Sequence, residues 1–151
     1  MHSKPHGRNL RKGRFSQPNQ IYLITMVVQN RHPALANLTA GRSLVQALKI
    51  VQPKAETLSY VAMPDHFHWL LQLGEKATLS GVVRDFKSAS SRLVNRGRSE
   101  TGSLWQKGYH DHALRSDEDM QAVARYMTAN PLRAGLVKHI GDYPWWDAVW
   151  L

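Results

Sequence analysis

Residues 64–71, Pro-Asp-His-Phe-His-Trp-Leu-Leu, set two histidines one residue apart inside an apolar run. Side chains alternate between the two faces of a strand, so a strand here turns His66 and His68 the same way. Phe67, Trp69 and Leu71 then fill the other face, and the run reads as one strand of a sheet packed on that side. Paired imidazoles on a rigid strand make half of a metal site, because imidazole suits divalent metals. The alternative is a sheet face whose histidines are hydrogen-bonded to their neighbours.

The elements around this run follow from periodicity and punctuation. Residues 21–28, β-branched and apolar, predict a central strand. A loop with Pro33 follows. Leu44, Leu48 and Val51 share a helical face between Gly41 and Gln52, and Pro53 ends that helix. Leu58 to Met63 is a second strand, Pro64-Asp65 is turn chemistry, and His66 to Leu73 folds back as a hairpin. Leu79, Val82, Val83, Phe86, Ser90 and Leu93 stripe a helix from Leu79 to Val94. Arg84, Lys87 and Arg92 lie on its other face, and Arg96 and Arg98 follow in a loop to Ser103. Leu104 to Arg115 reads as extended. Ser116 is positioned to cap a last helix, to Ala129, whose first turn is acidic as the helix dipole favours. The order strand, helix, strand, strand, helix, strand, helix predicts an α+β, ferredoxin-like antiparallel sheet with helices packed on one face. The expected division is a basic N-terminal arm over 1–20, one domain over 21–138, and a Trp-rich tail over 139–151 packed on it.

Charge narrows the function. Twenty Lys plus Arg stand against eleven Asp plus Glu, with a pI near 10.2, a balance that favours a polyanionic partner, above all nucleic acid. There is no cysteine, so disulfides and thiol chemistry are excluded. The lack of a bilayer-length apolar stretch or an apolar signal core points to the cytoplasm, with no membrane partner. Asn37-Leu38-Thr39 fits a glycosylation sequon, read as chance in that compartment.

In the last helix, Met120, Val123, Ala124 and Met127 form the stripe to be buried. Tyr126 and Asn130, four apart, lie one above the other at its margin. A tyrosine there is commonly an amphipathic rim residue, and an asparagine before proline a plain helix end. Set beside His66 and His68 they suggest more. Two imidazoles and an amide oxygen can hold Mg²⁺ or Mn²⁺ while leaving positions open for a phosphate, against which a tyrosine hydroxyl becomes a competent nucleophile. His110 and His112 also alternate and offer a rival pair, read as structural or phosphate-contacting. Tyr109, beside them, is the rival nucleophile.

Several segments together resemble the REP-associated tyrosine transposases, domesticated relatives of the single-tyrosine HUH transposases of IS200-like insertion sequences. They are Met63 to Leu71, Leu104-Trp105-Gln106, His112 to Arg115, and Tyr126 followed by Asn130 to Val137, within a match from Gly13 to the C-terminus that includes Gly141-Asp142-Tyr143-Pro144. The resemblance implies a ferredoxin-like HUH fold, with His66, His68 and Asn130 as ligands of Mg²⁺ or Mn²⁺ and Tyr126 as nucleophile. It implies single-stranded DNA bearing a REP-type hairpin (the BIME palindromes) as substrate, cleaved and rejoined through a transient 5′-phosphotyrosine, by a monomer or homodimer at the bacterial nucleoid. Arg14, Arg84, Lys87, Arg92, Arg96, Lys107, Arg115 and Arg133 are the expected phosphate contacts. Trp105 is a candidate base-stacking platform or a core anchor. Two rivals remain, a non-catalytic hairpin-binding module and a nuclease that uses activated water.

Overall fold

Ile21–Val27, apolar and rich in β-branched residues, forms β2, the strand that divides the molecule's two cores. The computed structural model describes residues 4–5, 19–115, 118–139 and 146–148, with backbone only at the two ends. β2 pairs antiparallel with β4 (His66–Leu73) on one side and β5 (His110–Ala113) on the other. β4 continues to β3 (Ala55–Ala62) through the expected hairpin. Two short strands flank these four: β1 (Lys4–Pro5) on β5 and β6 (Trp146–Ala148) on β3. The sheet order is β1-β5-β2-β4-β3-β6.

The alternation along β2 and β4 sorts side chains to two faces. Tyr22, Ile24 and Met26 of β2 join Phe67, Trp69, Leu71 and Leu73 of β4 on the first. That face is covered by α1 (Leu38–Val51) and α2 (Leu79–Arg98), which contribute Leu44, Leu48, Val82 and Phe86. Phe67 stacks on Phe86 at 5.3 Å, and each such fully buried ring is worth roughly 1.5–3 kcal/mol. Gly97 lets the two helices meet, since a Cβ there would stand 3.1 Å from the Thr39 methyl.

The sandwich expected from the element order is present, with one difference. The third helix, α3 (Met120–Thr128), covers the opposite face. The reason lies in the other half of the alternation. Leu23, Leu70, Val61 and Met63 leave an apolar patch beside the histidines, and Ala124 and Met127, with Met120 and Val123, bury it. A single helical turn, α4 (Asn130–Arg133), continues the run after α3.

Helix starts are fixed by side-chain caps. Asn37 accepts from Ala40 N–H and Thr78 from Gly81 N–H, so α1 begins three residues earlier than expected, and the apparent sequon is a cap. α3 begins later than expected, because its cap is Asp119, which accepts from the N–H groups of Gln121 and Ala122. Ser116, the expected cap, lies outside the described residues, as do Arg14 and the Gly141-Asp142-Tyr143-Pro144 motif. Among the described residues, no helix is long and apolar enough to cross a membrane.

Candidate active site

The hairpin turn that aims the two histidines is clamped from outside. Val28 N–H donates to Asp65 O and Leu35 N–H to Pro64 O, both at 2.9 Å, while Met63 N–H closes the turn on His66 O. Arg31, in a short turn at Gln29–Arg31 and with a positive φ of 52°, donates from Nε to the Asp65 carboxylate at 3.1 Å. The other Asp65 oxygen meets His66 Nδ1 at 2.7 Å. Burial pushes the Asp65 carboxyl up, but the hydrogen bond and charge of His66 and the charge of Arg31 outweigh it and hold it below the ordinary carboxylate value.

His68 is fixed in the same manner from across the sheet. Register puts it opposite Thr25, whose hydroxyl meets His68 Nδ1 at 2.9 Å. The two rings stand edge to face with centroids 4.9 Å apart. Burial, then the charges of His66 and Arg133, push His68 down to about 3, so its imidazole is neutral at neutral pH. With Nδ1 of each ring engaged, Nε2 is left on each as the coordinating atom. A carboxylate and a hydroxyl that hold the far nitrogens of paired imidazoles orient both rings toward one ion, and the pair fits a divalent-metal site. Among the described residues no three His, Cys, Asp or Glu side chains gather, so a third protein ligand has to be of another kind.

Tyr126 and Asn130 are linked through Arg133. The Tyr126 ring is 64 % exposed on α3, and the Arg133 guanidinium stands 3.9 Å from its centre. Arg133 Nη2 also donates to Asn130 Oδ1 at 2.5 Å. α3 packs on the sheet face that carries the histidines, and the charge of Arg133, in the turn that continues it, acts on His68. Tyr109, the rival nucleophile, is only 6 % exposed and sits in the core on the opposite face.

Residues 16–130 match the sequence model of the family described as "Transposase IS200 like". The chain belongs to that family. This transposase is similar to a putative REP-associated tyrosine transposase of Haemophilus influenzae, 26 % identical over 137 residues that cover 83 % of this chain and 77 % of the relative. It is likewise similar to the REP-associated tyrosine transposase of Escherichia coli, 28 % identical over 128 residues, covering 82 % and 73 %. Its fold is shared with a solved REP-associated tyrosine transposase bound to a REP hairpin, at a TM-score of 0.73 and 24 % identity over 88 % of this chain and 79 % of that one. A putative transposase from Deinococcus radiodurans follows at 0.55 and 23 %, over 76 % and 93 %. The resemblance read from the sequence is thus borne out at the level of family and fold.

The cations expected on DNA are not all brought to the histidines. Arg84, Lys87, Arg92 and Arg96 lie on α2, across the sheet from them. Lys87 donates to Gln106 O and Gly108 O and so staples the chain entering β5 to the helix. Ser91 and Asn95 of α2 hold the same segment at Leu104 N–H and Gly102 O. Lys107 and Arg115, both exposed, bracket β5. Trp105 is 1 % exposed among Phe67 and Phe86, which makes it the core anchor of its two readings.

His110 and His112 stand on the same face as His66 and His68, with β2 between the pairs. His112 Nε2 meets the Glu118 carboxylate at 2.9 Å, a structural tie to the segment that leads into α3. Thr25 and Arg31 are parts of the site that sequence reasoning missed. Only the β2–β4 register and the fold of the turn at Gln29–Arg31 bring them in, and neither leaves a local signal.

Proposed function

We propose that this transposase cleaves and rejoins single-stranded DNA carrying REP-type hairpins, through a transient 5′-phosphotyrosine on Tyr126, with Mg²⁺ or Mn²⁺ held by His66, His68 and Asn130. The observation that carries the reading is the pair of imidazoles whose Nδ1 atoms are engaged by Asp65 and Thr25, leaving both Nε2 atoms on the sheet face that α3 covers. A bound divalent ion supplies polarisation of the scissile phosphate and stabilisation of charge in the transition state. Asp65 and Thr25 fix the two rings, so little reorganisation is left for binding. Tyr126, exposed on its helix, presents its hydroxyl to the DNA; Oη attacks phosphorus, the P–O3′ bond breaks, the tyrosine proton passes to water, and the departing 3′ oxygen takes a proton from water. The hairpin as substrate is supported by the REP hairpin bound to the solved relative and by the net charge of +9, which suits bacterial nucleoid DNA.

The test incubates 5′- and 3′-labelled hairpin oligonucleotides from the source genome's palindromes with protein and Mn²⁺, beside Tyr126→Phe. A labelled covalent adduct that needs the metal and disappears in the variant is the expected result. Cleavage without an adduct, undiminished in Tyr126→Phe, would establish a water-using nuclease instead. Tight binding of the same oligonucleotides with neither adduct nor cleavage would leave a non-catalytic hairpin-binding protein.

A further inference from the structure

Tyr126, Asn130 and Arg133 are spaced i, i+4 and i+7, one face of the helical run that closes the site. On that face a single guanidinium serves both neighbours. It lies over the Tyr126 ring and donates to Asn130 Oδ1, the amide oxygen proposed above as the third ligand beside the histidine pair. A divalent ion and a guanidinium repel, and an amide oxygen that accepts from the guanidinium is weakened as a ligand of the ion. A DNA phosphate is a far better partner for a planar fork than a neutral amide, because two charge-assisted hydrogen bonds replace one. We propose that Arg133 is a positioning residue that couples metal to DNA: without DNA it holds the amide oxygen the ion needs, and an arriving phosphate draws it away. The free chain then binds the ion weakly and the DNA-bound chain binds it tightly. By linkage, the ion strengthens DNA binding by the same factor. Exposed Arg133 costs the fold little to replace, so its conservative neutral substitute reports on the site and not on stability.

This inference rests on the metal site proposed above, and the experiment separates the two. Mn²⁺ affinity is measured by titration calorimetry in Tyr126→Phe, which keeps the ring and cannot cleave, alone and with saturating oligothymidylate at low salt. Added DNA is expected to tighten Mn²⁺ by about fivefold or more in this parent, within the usual range of such couplings. With Arg133→Met added, the DNA-free protein is expected to bind Mn²⁺ more tightly than the parent, and the tightening by DNA to fall to less than about half of the parent's, the remainder being the phosphate's own contact with the ion. If His68→Ala loses the ion while Arg133→Met leaves both affinities unchanged, the metal site stands and the coupling is overturned. If His68→Ala binds Mn²⁺ as well as the parent does, the metal site falls and the coupling falls with it.

Discussion

At Trp105 the sequence leaves two readings open, and burial decides between them. A tryptophan in a basic, nucleic-acid-binding chain reads as a stacking platform as readily as a core anchor, because only burial tells them apart. Here the indole N–H donates to Ser90 Oγ at 2.9 Å inside the core, and Ser90 in turn donates to Phe86 O. Trp105→Phe should therefore cost about 2 kcal/mol in denaturant unfolding, from lost volume and the lost hydrogen bond to Ser90, and leave DNA affinity unchanged. A stacking role would show the reverse, with about 1–3 kcal/mol lost from binding and little from folding. His66 and His68 were legible because a period of two needs no tertiary knowledge. Thr25, 43 residues from His68, was not, because strand register is set by the whole sheet. Asp65 was legible only as turn chemistry, although it also braces His66.

At the scale of the element, the approach to α3 shows what local signals omit. An acidic run after Ser116 reads as a capped first turn, yet among the described residues Asp119 is the cap, and Glu118 is used elsewhere. Its carboxylate accepts from Arg115 N–H at 2.9 Å and meets His112 Nε2 at 2.9 Å, tying the end of β5 to the start of the helix that carries Tyr126. The Arg115 backbone hydrogen bond first, then the His112 bond and charges, outweigh burial and hold Glu118 below its ordinary value of 4.5. A carboxyl lowered on folding stabilises the protein above its unfolded pKa and loses that contribution as pH falls through the folded one. Glu118→Gln should thus be less stable than the parent by about 1.5 kcal/mol at pH 7, with the gap closing progressively below pH 4.5. Parallel urea titrations of both proteins across that range measure it; a gap that persists into acid would mean the tie is not electrostatic. The helix itself, its stripe and its tyrosine were legible from a period of 3.6. Which sheet face it covers was not, since the apolar patch of Leu23, Val61 and Leu70 exists only once three strands are paired.

Across the whole molecule, the sheet separates the histidine pair from much of the positive charge. The histidine pair and the α3–α4 run lie on one face, and the arginines of α2 on the other, while composition reports only their sum. Arg92 and Arg96, one helical turn apart and exposed, cannot reach a phosphate held at His66 and His68. A hairpin with flanking single strands is long enough to pass around the β5 edge, where exposed Lys107 and Arg115 continue the positive surface. If the DNA follows that path, each neutralised contact removes about 0.7 from the slope of log affinity against log salt. Arg92→Gln combined with Arg96→Gln should lower the slope by about 1.4 and weaken binding at low salt. Adduct formation at saturating DNA should stay at the parent rate, because neither residue is near the scissile phosphate. Filter binding over a salt series, beside single-turnover adduct kinetics, reads both quantities from one preparation. An unchanged slope would confine the DNA to the histidine face and make the α2 arginines a solvated surface; a slowed adduct at saturation would mean that the two faces are coupled through the sheet.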